Sequence, residues 1–163
     1  MLTSMSRIND MRDSAAVIGP EMEAMLAAGQ QVQLVVSGDS MRPTLKPRRD
    51  AAVLEPVRDW PPKRGDILLF GSERSASGYA LHRVVRVGQG GPYMNGDGQN
   101  WVEGPLAREN VLAIAVAIVR NGRIIDAKAR GYRLLVRCWG VTRRVRWPLF
   151  AAWRAVKRLV GKK

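Results

Sequence analysis

The residue whose setting most suggests chemistry is Ser40. It follows a strand-like run at residues 32–36 and a Ser37-Gly38-Asp39 turn, and Pro43 comes three residues later. Glycine permits backbone angles that other residues resist, and proline fixes its own φ. A stiff turn of this kind would hold the Ser40 hydroxyl at the tip of a strand, as a nucleophile requires. A solvated turn is the ordinary alternative, because these residue types are common in turns.

His82 is the single histidine of the chain and lies 42 residues after Ser40. A serine hydroxyl is a weak nucleophile near neutral pH and needs a base that takes its proton. Imidazole has a pKa close to working pH, so His82 suits that task. The alternative is a structural or surface histidine. Cys138, the only cysteine, has no histidine near it in sequence and is not expected to be a nucleophile.

Several stretches in order resemble the signal peptidase I and LexA-like serine peptidases. Residues 37–45 (Ser-Gly-Asp-Ser-Met-Arg-Pro-Thr-Leu) resemble the nucleophile box. The remaining resemblances are to the Arg-Gly-Asp strand (residues 64–70), the general-base box (81–85), the downstream Gly-Asp box (93–98) and the closing strand (111–122). The match covers residues 32 to 126.

The resemblance implies a serine endopeptidase with Ser40 as nucleophile and His82 as general base. The base is a lysine in most bacterial signal peptidases and in LexA-like repressors. It is a histidine in the endoplasmic-reticulum, archaeal and sporulation-type enzymes, and Leu81-His82-Arg83-Val84-Val85 matches that form. No cofactor is implied. The sequence contains no cluster of His, Cys, Asp and Glu with metal-ligand spacing, so no metal is expected.

Asp97 matches the aspartate of the Gly-Asp box and is expected to orient the His82 ring, with Asp66 as the second candidate. The alternative for Asp97 is that it is an ordinary turn residue between two glycines. The family box typically has Asn two residues after the aspartate, where this chain has Gln99. The local geometry is therefore expected to differ from that of the family.

The backbone amide of Ser40 is the expected donor to the oxyanion that forms during acyl transfer. Signal peptidases often add a hydroxyl two residues before the nucleophile, where this chain has glycine, so the box is closer to the LexA-like form. The candidates for oxyanion and substrate contacts are Ser37, Gly38, Asp39, Met41 and Pro43.

Many short strands separated by Gly and Pro turns predict a mainly β fold, and the resemblance specifies a coiled β-sheet core of the signal peptidase/LexA type. We expect an N-terminal segment (1–30) with a short helix at 20–28, a peptidase-like β domain (31–128) and a basic amphipathic helical tail (129–163). Residues 112–119 are apolar on both faces and should form a central strand. Asn121-Gly122 predicts a hairpin after it.

The charge of the chain is strongly basic, with 27 Lys and Arg against 14 Asp and Glu, a net +13. This surplus predicts an anionic partner. Residues 131–163 contain no acidic residue, carry three of the five tryptophans and have apolar residues at helical spacing. That composition is typical of an interfacial membrane anchor, and the alternative is a helix packed on the core. Nucleic-acid binding is disfavoured, because no recognised reading motif accompanies the charge.

The sequence therefore predicts a serine endopeptidase that cleaves a peptide or precursor bound as an extended strand. No export signal or membrane-spanning run is visible, so a cytoplasmic location, peripheral to the inner face of the membrane, is expected. One alternative is a self-cleaving LexA-like regulator with Ala28-Gly29 as its cut site. The other is a non-catalytic protein on the same fold that binds a membrane surface or a partner.

Overall fold

The computed structural model describes residues 6–7 and 18–142 of the 163-residue chain. The end of the predicted tail, residues 143–163, lies outside the described residues together with two of its tryptophans, Trp147 and Trp153.

Eight strands and two α-helices form within the described residues. They are β1 (Ser6–Arg7), α1 (Ile18–Ala27), β2 (Val32–Val35), β3 (Asp50–Glu55), β4 (Ile67–Gly71), β5 (Tyr79–Gly88), β6 (Gly91–Asn95), β7 (Val111–Arg120), β8 (Arg123–Asp126) and α2 (130–142), with a 3-10 helix at Arg108–Asn110. The mainly β class predicted from the sequence is confirmed.

The strands join one sheet in the order β1-β2-β3-β7-β4-β5-β6, and β8 also pairs with β7. The pairing is antiparallel except between β1 and β2. β3 follows one edge of β7, while β4 and β8 share the other edge, so that Ala117 pairs with both Val53 and Asp126. The central position predicted for residues 112–119 is confirmed.

The turn between β7 and β8 has the chemistry that a two-residue hairpin requires. Asn121 and Gly122 have φ values of 49° and 74°. Positive φ at both central residues is the condition for a type I′ turn, whose twist matches that of the flanking strands. The predicted Asn-Gly hairpin is therefore confirmed.

Both faces of the sheet are covered. The first core lies beneath α1, α2 and the loop that carries Ser40, and it includes Met22, Leu26, Met41, Leu45, Ile118, Tyr132 and Val136. The second core lies on the other face beneath the segments that flank β6, and it consists of Val57, Leu68, Phe70, Val84, Met94, Leu106 and Val111. β7 contributes to both cores, because successive side chains of a strand point to opposite faces.

Candidate active site

Ser40 lies in a loop of successive turns between β2 and β3, here called the Ser40 loop (residues 36–49). The Ser40 side chain is half-buried, and the next residue, Met41, is only 1% exposed. Met41 and Leu45 both pack into the first core. Buried apolar side chains therefore anchor the loop while Ser40 keeps access to solvent.

The Ser40 loop docks against the segment that follows β6, here called the Gly-Asp loop (residues 96–107). The Gly98 amide donates to the Ser40 carbonyl at 2.8 Å. A Cβ at Gly96 would lie 2.6 Å from the same carbonyl oxygen, and a Cβ at Gly98 would lie 2.9 Å from the Arg42 carbonyl oxygen. Both glycines are thus required for the close approach of the two backbones.

A buried ion pair joins the Ser40 loop, the sheet and the Gly-Asp loop. Arg83, on β5, donates through Nε and Nη2 to both oxygens of Asp97, with Nη2 2.7 Å from Oδ2. The Thr44 hydroxyl donates to the same carboxylate. Burial lowers the pKa of Arg83, but the nearby Asp97 carboxylate outweighs that effect. The pKa of Arg83 is therefore raised, and its guanidinium stays protonated.

A second buried carboxylate, Asp50, fixes the far end of the Ser40 loop. It accepts hydrogen bonds from Arg49, from the Lys46 amide and from Arg120 on β7. Arg120 also donates to the Thr44 carbonyl at 2.5 Å. Burial acts to raise the pKa of Asp50, but the hydrogen bonds from Arg49 and Arg120 prevail and hold it well below its usual range.

His82 lies on β5 opposite Leu68 and is 4% exposed. The edge of its ring contacts Phe70, with ring centroids 5.7 Å apart. Burial lowers the pKa of His82; Glu103 and, more weakly, Asp97 act to raise it, and the net pKa lies below the usual 6.5. The imidazole is therefore neutral at neutral pH, which is the form that can accept a proton.

The carboxylate beside the His82 ring belongs to Glu103, whose Oε1 lies 3.0 Å from Nδ1. The two atoms are within hydrogen-bond distance but out of line for a hydrogen bond, and among the described residues no other group bonds to Nδ1. Ser72 donates to Oε2 of Glu103 at 2.7 Å. The backbone of Glu103 bonds that of Met94 in both directions, at 2.7 and 2.8 Å. Three hydrogen bonds, one to the side chain and two to the backbone, thus fix the position of Glu103.

A cavity of about 410 Å³ lies beside Glu103. It is lined by Phe70, Gly71, Ser72, Glu73, Arg74, Val102, Glu103, Gly104, Pro105 and Leu106. Ser72 and Glu103, which are hydrogen-bonded to each other, both belong to this lining.

The backbones of Ser40 and His82 are connected through their neighbours at one end of the β5–β6 pair. Arg83, next to His82, pairs with Asn95, and Asn95 precedes the Gly96 against which the Ser40 carbonyl lies. Within residues 6–7 and 18–142 no hydrogen bond joins Ser40 to His82. Catalytic hydrogen bonds are often long in unliganded enzymes and tighten with substrate.

The other residues selected from the sequence have varied surroundings. Ser37, Gly38, Asp39 and Pro43 are exposed around Ser40, and Asp39 forms an exposed ion pair with Arg42. Met41 has its side chain inside the first core, which leaves it no open surface for a substrate. Asp66 accepts from the Lys63 amide and from Arg133 on α2. Asp97, expected to orient His82, is bound by Arg83 and Thr44.

Sequence reasoning did not select Glu103 or Ser72. Neither stands in a box of the family pattern, and nothing in their sequence neighbourhood indicates that they lie together. A β-bridge between Met94 and Glu103 folds the Gly-Asp loop back along β6 and creates the contact. Only the tertiary structure brings this carboxylate to the histidine.

Helix α2 contacts the site directly. The Trp139 indole donates to the Asp97 carbonyl at 3.2 Å, Arg83 donates to the Tyr132 hydroxyl at 3.4 Å, and Arg133 reaches Asp66. Part of the predicted basic tail is therefore packed on the β-core. Cys138 lies on the same helix and is exposed.

No group of three or more His, Cys, Asp or Glu side chains in the described part of the chain is arranged to hold a metal ion. None of the helices described between residues 18 and 142 has the length and apolar character needed to cross a bilayer. Comparison of the chain with protein-family models, curated proteins and solved structures finds no match.

Proposed function

We propose that this chain is a serine endopeptidase with the fold and chemistry of the signal peptidase and LexA-like enzymes, in which Ser40 is the nucleophile and His82 the general base. The observation that carries the proposal is the state of the only histidine. It is buried, its pKa is lowered by burial, and a held carboxylate lies 3.0 Å from Nδ1. Perturbed titratable groups of this kind concentrate at functional sites.

Ser40 attacks the carbonyl carbon of the scissile peptide bond while its proton passes to Nε2 of His82. The resulting oxyanion is stabilised by the Ser40 amide, which has no acceptor among the described residues. The tetrahedral intermediate collapses as His82 gives its proton to the leaving amine, and an ester on Ser40 remains. A water molecule, deprotonated by His82, then hydrolyses the ester and regenerates the Ser40 hydroxyl.

Glu103 and Asp97 have separate tasks in this proposal. Glu103 Oε1 lies 3.0 Å from Nδ1, and a small reorientation of the ring would bring the Nδ1–H into line with it. In that arrangement Glu103 accepts the ring N–H, selects the tautomer with a free Nε2 and stabilises the transient imidazolium. Asp97 pairs with Arg83 and Thr44, and so holds the Ser40 loop against the sheet. The orienting role first expected of Asp97 is thereby assigned to Glu103.

The substrate is a peptide or precursor bound as an extended strand. Support comes from the edge of β2, the strand that leads to Ser40. Among the described residues, β1 pairs there only with Val32 and Gln33, and Val35 is 44% exposed. An extended peptide can add to such an edge through main-chain hydrogen bonds.

The test is labelling of the purified protein with a serine-reactive fluorophosphonate or a penem, read by intact mass. Wild type should carry one adduct, and Ser40→Ala and His82→Ala should carry none. Ser75→Ala, in the loop between β4 and β5, is the control and should label like wild type. An adduct that persists in Ser40→Ala would overturn the assignment of the nucleophile.

The rival reading as a self-cleaving regulator is less well supported. Gly29 has a φ of 77°, and the amides of Ala28 and Gly29 bond back to Ala24 and Leu26. The Ala28–Gly29 bond is therefore part of a helix terminus, whereas a peptidase needs an extended substrate. A nick at Gly29 on incubation of wild type, absent from Ser40→Ala, would favour the rival. Absence of both a nick and an adduct would favour a non-catalytic binding protein.

A further inference from the structure

Helix α2 has two faces of different character. Its inner face (Tyr132, Val136 and Trp139) packs on the core and the candidate site. With 3.6 residues per turn, Leu134, Cys138 and Val141 lie on the opposite side. Leu134 and Val141 are 63% and 74% exposed, and Leu135 beside them is 54% exposed. Three large apolar side chains in one short helix thus face solvent.

The same side of α2 is basic. Arg130 and Arg137 are exposed and, by the helical period, lie beside the apolar side chains. The outer face of α2 is defined here as five residues: Arg130, Leu134, Arg137, Cys138 and Val141. Residues 130–142 contain no acidic residue. The sequence after the described helix, 143–163, adds eight Lys and Arg and no acid.

We propose that the outer face of α2 docks on an anionic phospholipid bilayer. A helix lying in the interface buries apolar side chains at the acyl boundary while Arg side chains reach the lipid phosphates. Charge alone would also suit nucleic acid or an acidic protein, but exposed Leu and Val side chains beside the arginines favour a surface with both an apolar and an anionic layer. This inference is independent of the peptidase proposal, because it concerns the face of α2 that is turned away from Ser40.

Docking through the outer face would hold the candidate site at the membrane. The inner face is bonded to the site through Trp139 and the Asp97 carbonyl, and Arg133 on the same helix is bonded to Asp66. Since α2 is bonded to the Gly-Asp loop and to the segment before β4, a helix fixed in the interface carries the site with it. Peptides presented at the bilayer surface would then meet Ser40 at high local concentration.

The only cysteine of the chain offers a direct probe, because Cys138 is exposed and lies on the outer face between Leu134 and Val141. The full chain is labelled at Cys138 with an environment-sensitive fluorophore and titrated with vesicles. Phosphatidylcholine vesicles containing phosphatidylglycerol should shift the emission to the blue, and pure phosphatidylcholine vesicles should bind at least about tenfold more weakly. High salt should weaken the binding.

Leu134→Glu and Val141→Glu should each weaken binding to the anionic vesicles by about tenfold or more, since each removes an inserted side chain and adds a repelled charge. Val87→Glu, at an exposed position on β5, is the matched control and should bind like wild type. Equal binding of all four proteins, or no blue shift at Cys138, would overturn the proposal. So would tighter binding to an oligonucleotide than to the vesicles. Ser40→Ala should bind the vesicles like wild type. The vesicle experiment therefore tests membrane docking whether or not the protein is a peptidase.

Discussion

The guanidinium of Arg83 and the carboxylate of Asp97 form an ion pair whose side chains are only 5% and 8% exposed. Arg83 belongs to the sheet and Asp97 to the Gly-Asp loop, and the Thr44 hydroxyl brings the Ser40 loop to the same carboxylate. The residue next to the proposed base thus has a different task from the base itself. It holds together the three parts of the chain that form the site.

Arg83→Ala should lower the free energy of unfolding by about 3–5 kcal/mol, because it leaves the Asp97 carboxylate buried without its partner. Urea denaturation measures this value. The exposed pair of Arg42 and Asp39 is the control, and Arg42→Ala should cost no more than about 1 kcal/mol. Equal losses in the two variants would show that burial of the Arg83 pair has no energetic consequence.

Gly96→Ala should displace the Ser40 loop, because the new methyl group would lie 2.6 Å from the Ser40 carbonyl oxygen and 2.7 Å from Gln99 Oε1. We expect loss of labelling by the fluorophosphonate together with a lower midpoint of thermal unfolding. Gly71→Ala is matched to it, since a Cβ there meets no atom within 4 Å. The docking of the two loops would be unimportant to the site if Gly96→Ala labelled as fast as Gly71→Ala.

The titration of His82 is directly observable, since a protein with one histidine gives one set of imidazole signals in NMR spectra. The midpoint in wild type should lie below the usual 6.5, because burial disfavours the charged ring. Glu103→Gln should move the midpoint further down, since it removes a charge that raises the pKa. Glu73→Gln, which changes another carboxylate lining the same cavity, should leave the midpoint unchanged. A midpoint unchanged in Glu103→Gln would contradict the proposed contact.

The lowered pKa of His82 also sets the sign of a stability change. Above about pH 6.5 the ring is neutral in both the folded and the unfolded chain, so burial of His82 costs the folded state no stability. As pH falls below 6.5 toward the folded pKa, only the unfolded chain takes up the proton, so the folded state loses stability. The slope is at most about 1.4 kcal/mol per pH unit. His82→Asn should lack this slope when unfolding is measured between about pH 5 and 8.

The lowered pKa of Asp50 leads us to expect a second loss of folding stability in acid. Its pKa is held well below the usual range, so its contribution is complete above about pH 4 and is lost as pH falls below that value. Asp50→Asn should therefore unfold less steeply with acid than wild type. Asp59→Asn, at an exposed position, should follow the wild-type curve. Identical curves for all three proteins would exclude Asp50 as a source of acid sensitivity.

Local signals in the sequence were sufficient for most of the sheet. The apolar run of β7 predicted a central strand, and Asn121-Gly122 predicted the hairpin, because each pattern is fixed by neighbouring residues. β1 carried no such signal: two residues cannot show a period, and the sheet alone assigns Ser6–Arg7 to a strand. Helix α1 begins at Ile18, two residues before the predicted start, since Pro20 is tolerated within the first turn.

The candidate site was predictable only where a motif names the residue. Ser40, His82 and Asp97 were selected from their boxes, and their proposed roles stay predictions; the structure places Asp97 in an ion pair with Arg83. Glu103 reaches Nδ1 through a bridge between Met94 and the Gly-Asp loop. Nothing in the sequence around Asp50 indicates that Arg120 would pair with it. Contacts between distant segments lie beyond any reading of neighbouring residues.

The pairing of β3 with β7 has a kinetic consequence. These strands are distant in the sequence, yet the sheet is continuous only when they are joined. Non-local strand pairing requires the closure of a long loop before its contacts form, so such topologies fold slowly. Ser40 and His82 both precede β7, which means that most of the proposed machinery is synthesised before the strand that completes its sheet. A ribosome-bound chain that lacks β7 would therefore carry no assembled site, and the proposed peptidase activity would be absent during most of the synthesis of the chain.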